Sequence, residues 1–244
     1  MRDSVSVSVQ SSRGAWPANT LLDRLPPNVV TDLLALGGVR RYAVGEILIR
    51  QGEDRDHVVH LLQSTRVSRP ACVKVVAALP DGGETLLGIR VSGDLVGELA
   101  PLSNRPRSAT VVACSPTLTR AIPGEVFRAF LDRNPVAWSA VTRMIADRLS
   151  SANHHRLEIA QHGVTARLAH VLAQLVERHG QRRPGGGHDL GIGLTHYELG
   201  QLIGAREDAV GKALRTLKGR GLVSVGYRQI IVFDPLLLRG FHGE

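Results

Sequence analysis

The chain has only two cysteines in 244 residues, Cys72 and Cys114. Two thiols cannot form a disulfide framework, and neither belongs to a Cys-x-x-Cys pair, so both read as reduced core or surface thiols. No apolar run approaches the roughly 18 residues of a membrane span. Residues 1–14 are polar and rich in Ser, without the apolar core of a secretory signal. A cytoplasmic location is therefore expected. No nucleophile–base motif and no P-loop occur, so no enzymatic activity is expected. Internal repeats are also lacking. The ten histidines include none with sound metal-ligand spacing: His154 and His155 diverge on a helix, and His162 and His170 lie eight apart. They read as solvated or capping residues, and no metal is expected.

The chain does contain enough apolar residues, 43% of the total, to fill two modest cores at this length. Its net charge of +8 suits a polyanionic partner. The surplus is local. Residues 150–244 carry 12 basic and 8 acidic side chains, and residues 204–228 carry 6 and 2, so one short segment holds the whole C-terminal excess.

Residues 1–20 read as a disordered tail, and 21–36 as short helical material interrupted by Pro26 and Pro27. From 41 to 122, short apolar runs alternate with Gly, Pro and Asp turns: 46–49, 58–62, 73–79, 84–89, 110–113 and 118–122. Pro80-Asp81-Gly82-Gly83 is a hairpin turn signal. This spacing predicts a sandwich or barrel-like roll. Residues 135–160 predict one long helix with a stripe at Val141, Ile145, Leu149, Ala152 and Ile159. That stripe suits packing on its own domain or a dimer seam. Gly163 breaks the helix, 164–178 forms another, and 182–187 is a Pro/Gly loop.

Thr195-His-Tyr-Glu198 is a capping box that starts a helix at Thr195. Leu199 and Ile203 face its core, Gly200 permits close approach of a second helix, and Gly204 supplies a positive φ for the turn. Val210 and Ala213 point the second helix, 207–218, inward. These offsets predict a helix-turn-helix, and the local charge points to duplex DNA. With Thr195 at the module's start, Arg206, Glu207, Asp208 and Lys212 are the candidates for the major groove. Arg215, Lys218, Arg220 and Arg228 suit phosphate contacts. Residues 222–232 form a hairpin with a Gly-containing turn, a wing.

Residues 93–100, Gly-Asp-Leu-Val-Gly-Glu-Leu-Ala, lead after a short loop to Arg107-Ser108-Ala109-Thr110. A Gly followed by a helical turn presents backbone N–H groups to an anion, a buried Arg pairs with phosphate, and a neighbouring carboxylate accepts from a ribose hydroxyl. A structural turn with an internal Glu98–Arg107 salt bridge is the other reading of the same residues.

From about residue 21 to 233, these elements and their order resemble the cyclic AMP receptor protein and Fnr (Crp-Fnr) family of bacterial transcription regulators. Its G-E-L-(A/G), R-(S/T)-A and Val-Thr-x-Arg elements stand here as Gly97-Glu98-Leu99-Ala100, Arg107-Ser108-Ala109 and Val164-Thr165-Ala166-Arg167. The resemblance implies an α+β chain of four parts: the tail (1–20), a β-roll sensor, or double-stranded β-helix (21–134), a dimerisation helix (135–162) and a winged helix-turn-helix (163–244). It implies a cyclic nucleotide, cyclic AMP first, held by Gly97, Glu98, Leu99, Arg107 and Ser108, with Asn153 against the purine. The partners implied are a second copy of the chain, a near-palindromic duplex and RNA polymerase.

Three departures stand out. Ala152 lacks the hydroxyl expected beside Asn153. Residues 63–71, including Arg66, Arg69 and Pro70, lack the usual hairpin Gly. Glu207 occupies the recognition helix's usual Arg position. Two cysteines also exclude the family's iron–sulfur branch. Two other readings remain open: a regulator of this type that ignores cyclic nucleotides or senses another ligand, and a nucleotide-binding adaptor whose helix-turn-helix contacts protein.

Overall fold

The computed structural model describes residues 16–54, 57–64, 71–80, 82–227 and 229–242. A 3-10 turn, Leu22–Arg24, precedes α1 (Pro27–Ala35). Pro27 opens α1, where a missing N–H costs nothing. Strands β1 (Gly38–Tyr42), β2 (Ile47–Ile49), β3 (Val59–Ser64), β4 (Cys72–Ala78), β5 (Glu84–Val91) and β6 (Leu95–Val96) follow. Then come α2 (Leu99–Ser103), β7 (Thr110–Ala113), β8 (Thr117–Ile122), α3 (Gly124–Arg133) and α4 (Pro135–Gln161). The remainder is α5 (Val164–His179), β9 (Gln181–Arg182), β10 (His188–Asp189), α6 (His196–Ile203), α7 (Glu207–Gly219), β11 (Val223–Gly226), β12 (Gln229–Val232) and α8 (Pro235–Arg239).

The fold is α+β, with an N-terminal antiparallel roll and a C-terminal winged helix-turn-helix. The roll consists of two four-stranded sheets, ordered β1-β8-β3-β6 and β2-β7-β4-β5. Ile49, Leu62, Val73, Val96 and Val111 come from both sheets and pack together as their shared core. Alternation is plain on β7 and β8, where every second side chain turns inward. The expected strands all form. β1 and β6 are additions: β1 is largely exposed, and β6 is too short for a periodic signal.

On β8 the inward residues include Thr117 and Thr119, both buried. Thr119 Oγ1 lies 3.1 Å from Nδ1 of the buried His60 on β3. Burial, with help from the charges of Arg40 and Arg107, pushes the His60 pKa down to about 4 from 6.5. The unfolded chain takes up this proton first. The stability therefore stands in full above the unfolded value and is lost as pH falls toward the folded one. Acidification from about pH 7 to about pH 5 should cost about 2 kcal/mol through this residue. Denaturant titrations of wild type and His60→Gln at both pH values check this. An equal acid loss in the variant would show that other groups are responsible.

A second core joins α1, α3 and the start of α4 to the roll, through Leu22, Leu33, Phe127, Leu131, Val141 and Met144. The two readings of the long helix thus divide along its length. Val141 and Ile145 pack on their own domain, whereas Leu149 is 63% exposed and Leu157 57% exposed. Within the stretch expected to be a tail, residues 16–20 lie against the roll. Trp16 packs on this core, and Thr20 is buried against Gly93.

The third core belongs to the C-terminal module, with Leu168, Leu172, Leu199, Val210, Leu217 and Val232 among its members. Cys72, Ile89 and Val91 of the β4–β5 hairpin join the same core, so roll and module share a buried interface. The 182–187 loop is flanked by two-residue strands that extend the wing into a sheet ordered β11-β12-β10-β9. Among the described residues, no helix is long and apolar enough to cross a membrane.

Candidate functional site

The helix-turn-helix forms in the expected register. Thr195 accepts from the Glu198 backbone N–H at 3.2 Å, and the Glu198 carboxylate accepts from the Thr195 N–H at 2.8 Å. Gly204 ends α6 in the left-handed region, at φ +61°. Added Cβ atoms would collide at both turn glycines: at Gly200 with the Ala205 carbonyl, and at Gly204 with Ile159 of α4. Val210, Ala213, Leu214 and Leu217 bury the inner face of α7. Arg206, Glu207, Asp208, Lys212, Arg215 and Lys218 are exposed on its outer side. Arg228 lies outside the described residues.

α6 is not free. Its Glu198 pairs with Lys74 of β4, and the Gln201 amide accepts from Leu86 N–H at 3.0 Å and donates to the Glu84 carbonyl. The Tyr197 hydroxyl donates to that carbonyl as well. Burial opposes ionisation of Glu198, but the Lys74 and Thr195 contacts outweigh it and lower its pKa. The capping carboxylate is therefore also the docking carboxylate, a double use that its spacing in the sequence does not reveal.

In the roll, Gly97 turns at φ +82°, and its missing side chain leaves room for Ile49 and the Arg107 guanidinium. Arg107 is buried and donates to the carbonyls of Gly97 at 2.7 Å and Val58 at 2.8 Å. Glu98 is also buried, and its carboxylate accepts from Arg148 of α4 at 2.7 Å. Arg148 donates further to the Leu95 carbonyl at 2.8 Å and lies 3.8 Å from Asp94. The expected ribose and phosphate residues are thus brought together, and α4 is tied to them. Leu99 and Ser108 are exposed beside them. Asn153 is exposed on α4. Of residues 63–71, the segment 65–70 lies outside the described residues.

A cavity of about 700 Å³ runs between β5, α4 and α5. Its walls include Arg90, Asp94, Arg148, Ala152 and Arg178, but none of Gly97, Glu98, Leu99, Arg107, Ser108 or Asn153. Burial, reinforced by the Arg148 and Arg178 charges, pushes Arg90 down to about 10. Such crowding of guanidinium groups favours an anionic occupant. Arg148 was within reach of sequence reasoning, since it lies one turn before Ala152 on the same helix face. Arg90 and Arg178 carried no such signal, because only the fold brings β5 and α5 to one cavity.

Residues 39–134 match the cyclic nucleotide-binding domain model, and residues 166–241 match the Crp-like helix-turn-helix domain model. The CRP-like cAMP-activated global transcriptional regulator of Mycobacterium tuberculosis is 26% identical over 190 residues, covering 78% of this chain and 81% of that protein. The cAMP-activated global transcriptional regulator CRP of Pasteurella multocida is 27% identical over 197 residues, covering 80% and 90%. Among solved structures, the c-di-GMP responsive global regulator CLP of Xanthomonas campestris superimposes with a TM-score of 0.69 at 20% identity, covering 86% of this chain and 100% of that one. That likeness speaks for the fold alone. With both domain models matched in order on one chain, this protein belongs to the Crp-Fnr family of bacterial transcription regulators.

Proposed function

We propose that the chain is a homodimeric, DNA-binding regulator switched by a cyclic nucleotide, cyclic AMP first, in the roll. The observation that carries this reading is the Glu98–Arg148 contact. It links the expected ribose carboxylate to the helix that runs on to Gly163 and the DNA module. A ligand hydroxyl competing for Glu98 changes the contacts of α4, a bistable element of the kind that couples distant sites. Leu149, Asn153 and Leu157 are spaced by four residues and exposed, so they share one face of α4. On this reading that face meets the second protomer, and Asn153 reaches the partner's ligand rather than its own chain's cavity. The outer face of α7 enters the major groove, with Lys212 among the base-edge residues and Arg215 and Lys218 on phosphates. RNA polymerase is the proposed partner at promoters.

A second reading, in which the cyclic nucleotide is replaced by another anion or by none, is favoured by two observations. Arg107 already donates to two carbonyls, and Ala152 offers the cavity no hydroxyl. One experiment separates the readings: selection of bound fragments from a random duplex pool, with and without cyclic AMP, followed by calorimetry with cyclic AMP and cyclic GMP. The expected result is salt-dependent recovery of near-palindromic sites whose affinity rises with cyclic AMP. Recovery of sites with no heat from either nucleotide at millimolar concentration would favour the second reading. Failure to select any sequence would sink both.

A further inference from the structure

Four histidines and one carboxylate meet where α4 turns into α5. His154 and Glu158 share one face of α4, and His162, four residues further on, caps its C-terminus, its backbone N–H donating to the Glu158 carbonyl. The chain then turns at Gly163, and α5 brings His170 back against them. His170 Nδ1 lies 2.8 Å from one Glu158 oxygen. His162 Nε2 lies 3.8 Å from the other oxygen, and His154 Nε2 lies 3.3 Å from it. The His162 and His170 ring centres are 5.3 Å apart, and His242 lies 6.0 Å from the first and 6.5 Å from the second. The eight-residue separation of His162 and His170 looks wrong for shared ligation only if the chain is read as one continuous helix.

His170 is held between two acceptors. The Phe241 carbonyl, 2.9 Å from Nε2, can only accept, so Nε2 carries a hydrogen. A neutral ring then presents the Nδ1 lone pair to a carboxylate oxygen. Two lone pairs at that distance need a cation between them, either a second ring proton or a metal ion. The carbonyl behind His170 is the outer-shell partner that orients metal-bound imidazoles and sets their tautomer.

One ligand atom from each of Glu158, His162 and His170 falls within 4.8 Å of the other two. Bonds of about 2.0–2.1 Å in a tetrahedral site imply ligand separations of about 3.3 Å. The 2.8 and 3.8 Å contacts fall on different Glu158 oxygens. One ligand atom from each residue already lies within 4.8 Å of the others, so side-chain rotation has to draw them closer by about 1.5 Å at most. Two imidazoles and a carboxylate suit a borderline-soft divalent ion.

We infer that Glu158, His162 and His170 bind a divalent transition-metal ion of the zinc class across the Gly163 turn, with His154 or water as a fourth ligand. The ion clamps the end of α4 to α5. The binding itself is independent of the transcriptional reading; its effect on DNA affinity rests on that reading.

The test uses the full-length chain without a histidine tag, stripped by chelator and titrated with zinc(II) in a calorimeter. One ion per chain is expected, and cobalt(II) should give the visible absorption bands of a tetrahedral site. His162→Gln and His170→Asn should each weaken zinc uptake by roughly a hundredfold while retaining the far-ultraviolet dichroism of the parent. The cobalt spectrum needs no variant, so a folding defect in either substitution leaves a readout. No stoichiometric uptake by the parent, or uptake unchanged in both folded variants, overturns the site. Full uptake with no change in affinity for a selected duplex overturns the clamp and leaves the ion site intact.

Discussion

Replacing Arg148 with Met is expected to destabilise the sensor by about 3 kcal/mol and to uncouple the DNA module from ligand in the roll. Arg148 is the observed cationic partner of a carboxylate whose side chain is only 5% exposed. Without it, the buried Glu98 carboxylate loses its hydrogen-bonded cationic partner, and the Leu95 carbonyl loses this donor. Relief of Arg90, which Arg148 crowds, offsets part of the loss. The Glu98→Gln, Arg148→Met double variant removes both charges and should recover a large part of the stability but none of the coupling. Denaturant melts of the parent, the two single variants Glu98→Gln and Arg148→Met, and the double variant, with duplex affinity measured with and without cyclic AMP, make the comparison. A single Arg148→Met variant as stable as the parent would mean that the pair contributes nothing to the fold. A ligand response preserved in it would remove the proposed route through α4.

Two glycines of the DNA module should respond in opposite directions. Gly200→Val is expected to cost about 3 kcal/mol and to weaken duplex binding by roughly a hundredfold. A Cβ at Gly200 would sit 2.4 Å from the Ala205 carbonyl, which is backbone and cannot rotate away. The turn must therefore open, and α7 is re-aimed with it. At Gly211, on α7, the nearest neighbour of such a Cβ is His196 Nδ1 at 3.7 Å, an ordinary contact. Gly211→Ala should therefore gain roughly 1 kcal/mol from helix propensity. Thermal melts and fluorescence anisotropy on a selected duplex measure both. If the two variants melted alike, close approach at Gly200 would not be what sets the turn.

The C-terminal module was legible nearly residue by residue, because it is built from local signals. Capping at Thr195, the left-handed turn at Gly204 and the inward Val210 each depend on neighbours within a few positions. The roll was legible as texture: its strands were found, but β6 is only two residues long and β1 is exposed, so neither shows a period. The site was legible in part. Gly97, Glu98 and Arg107 gather as their motifs suggest, yet the partner of Glu98 is Arg148, 50 residues away. The docking of α6 on β4 and β5 through Glu198 and Gln201 left no mark on local spacing. Glu198 already had a satisfactory local explanation as a cap, and Gln201 belongs to no motif.

Glu207 and Asp208 open α7 at its exposed N-terminus. There they complement the helix dipole, and so they favour the folded module. On the proposed reading they also stand nearest the bases, with phosphates on either side. An acidic pair in that position is repelled by DNA of arbitrary sequence and is compensated only where a cytosine amino group meets it. Such a reader gives up affinity for the bulk of the chromosome. Its dwell time on wrong sites shortens, and the fraction of molecules available to search rises. Selectivity then comes from what the protein refuses as much as from what it grips.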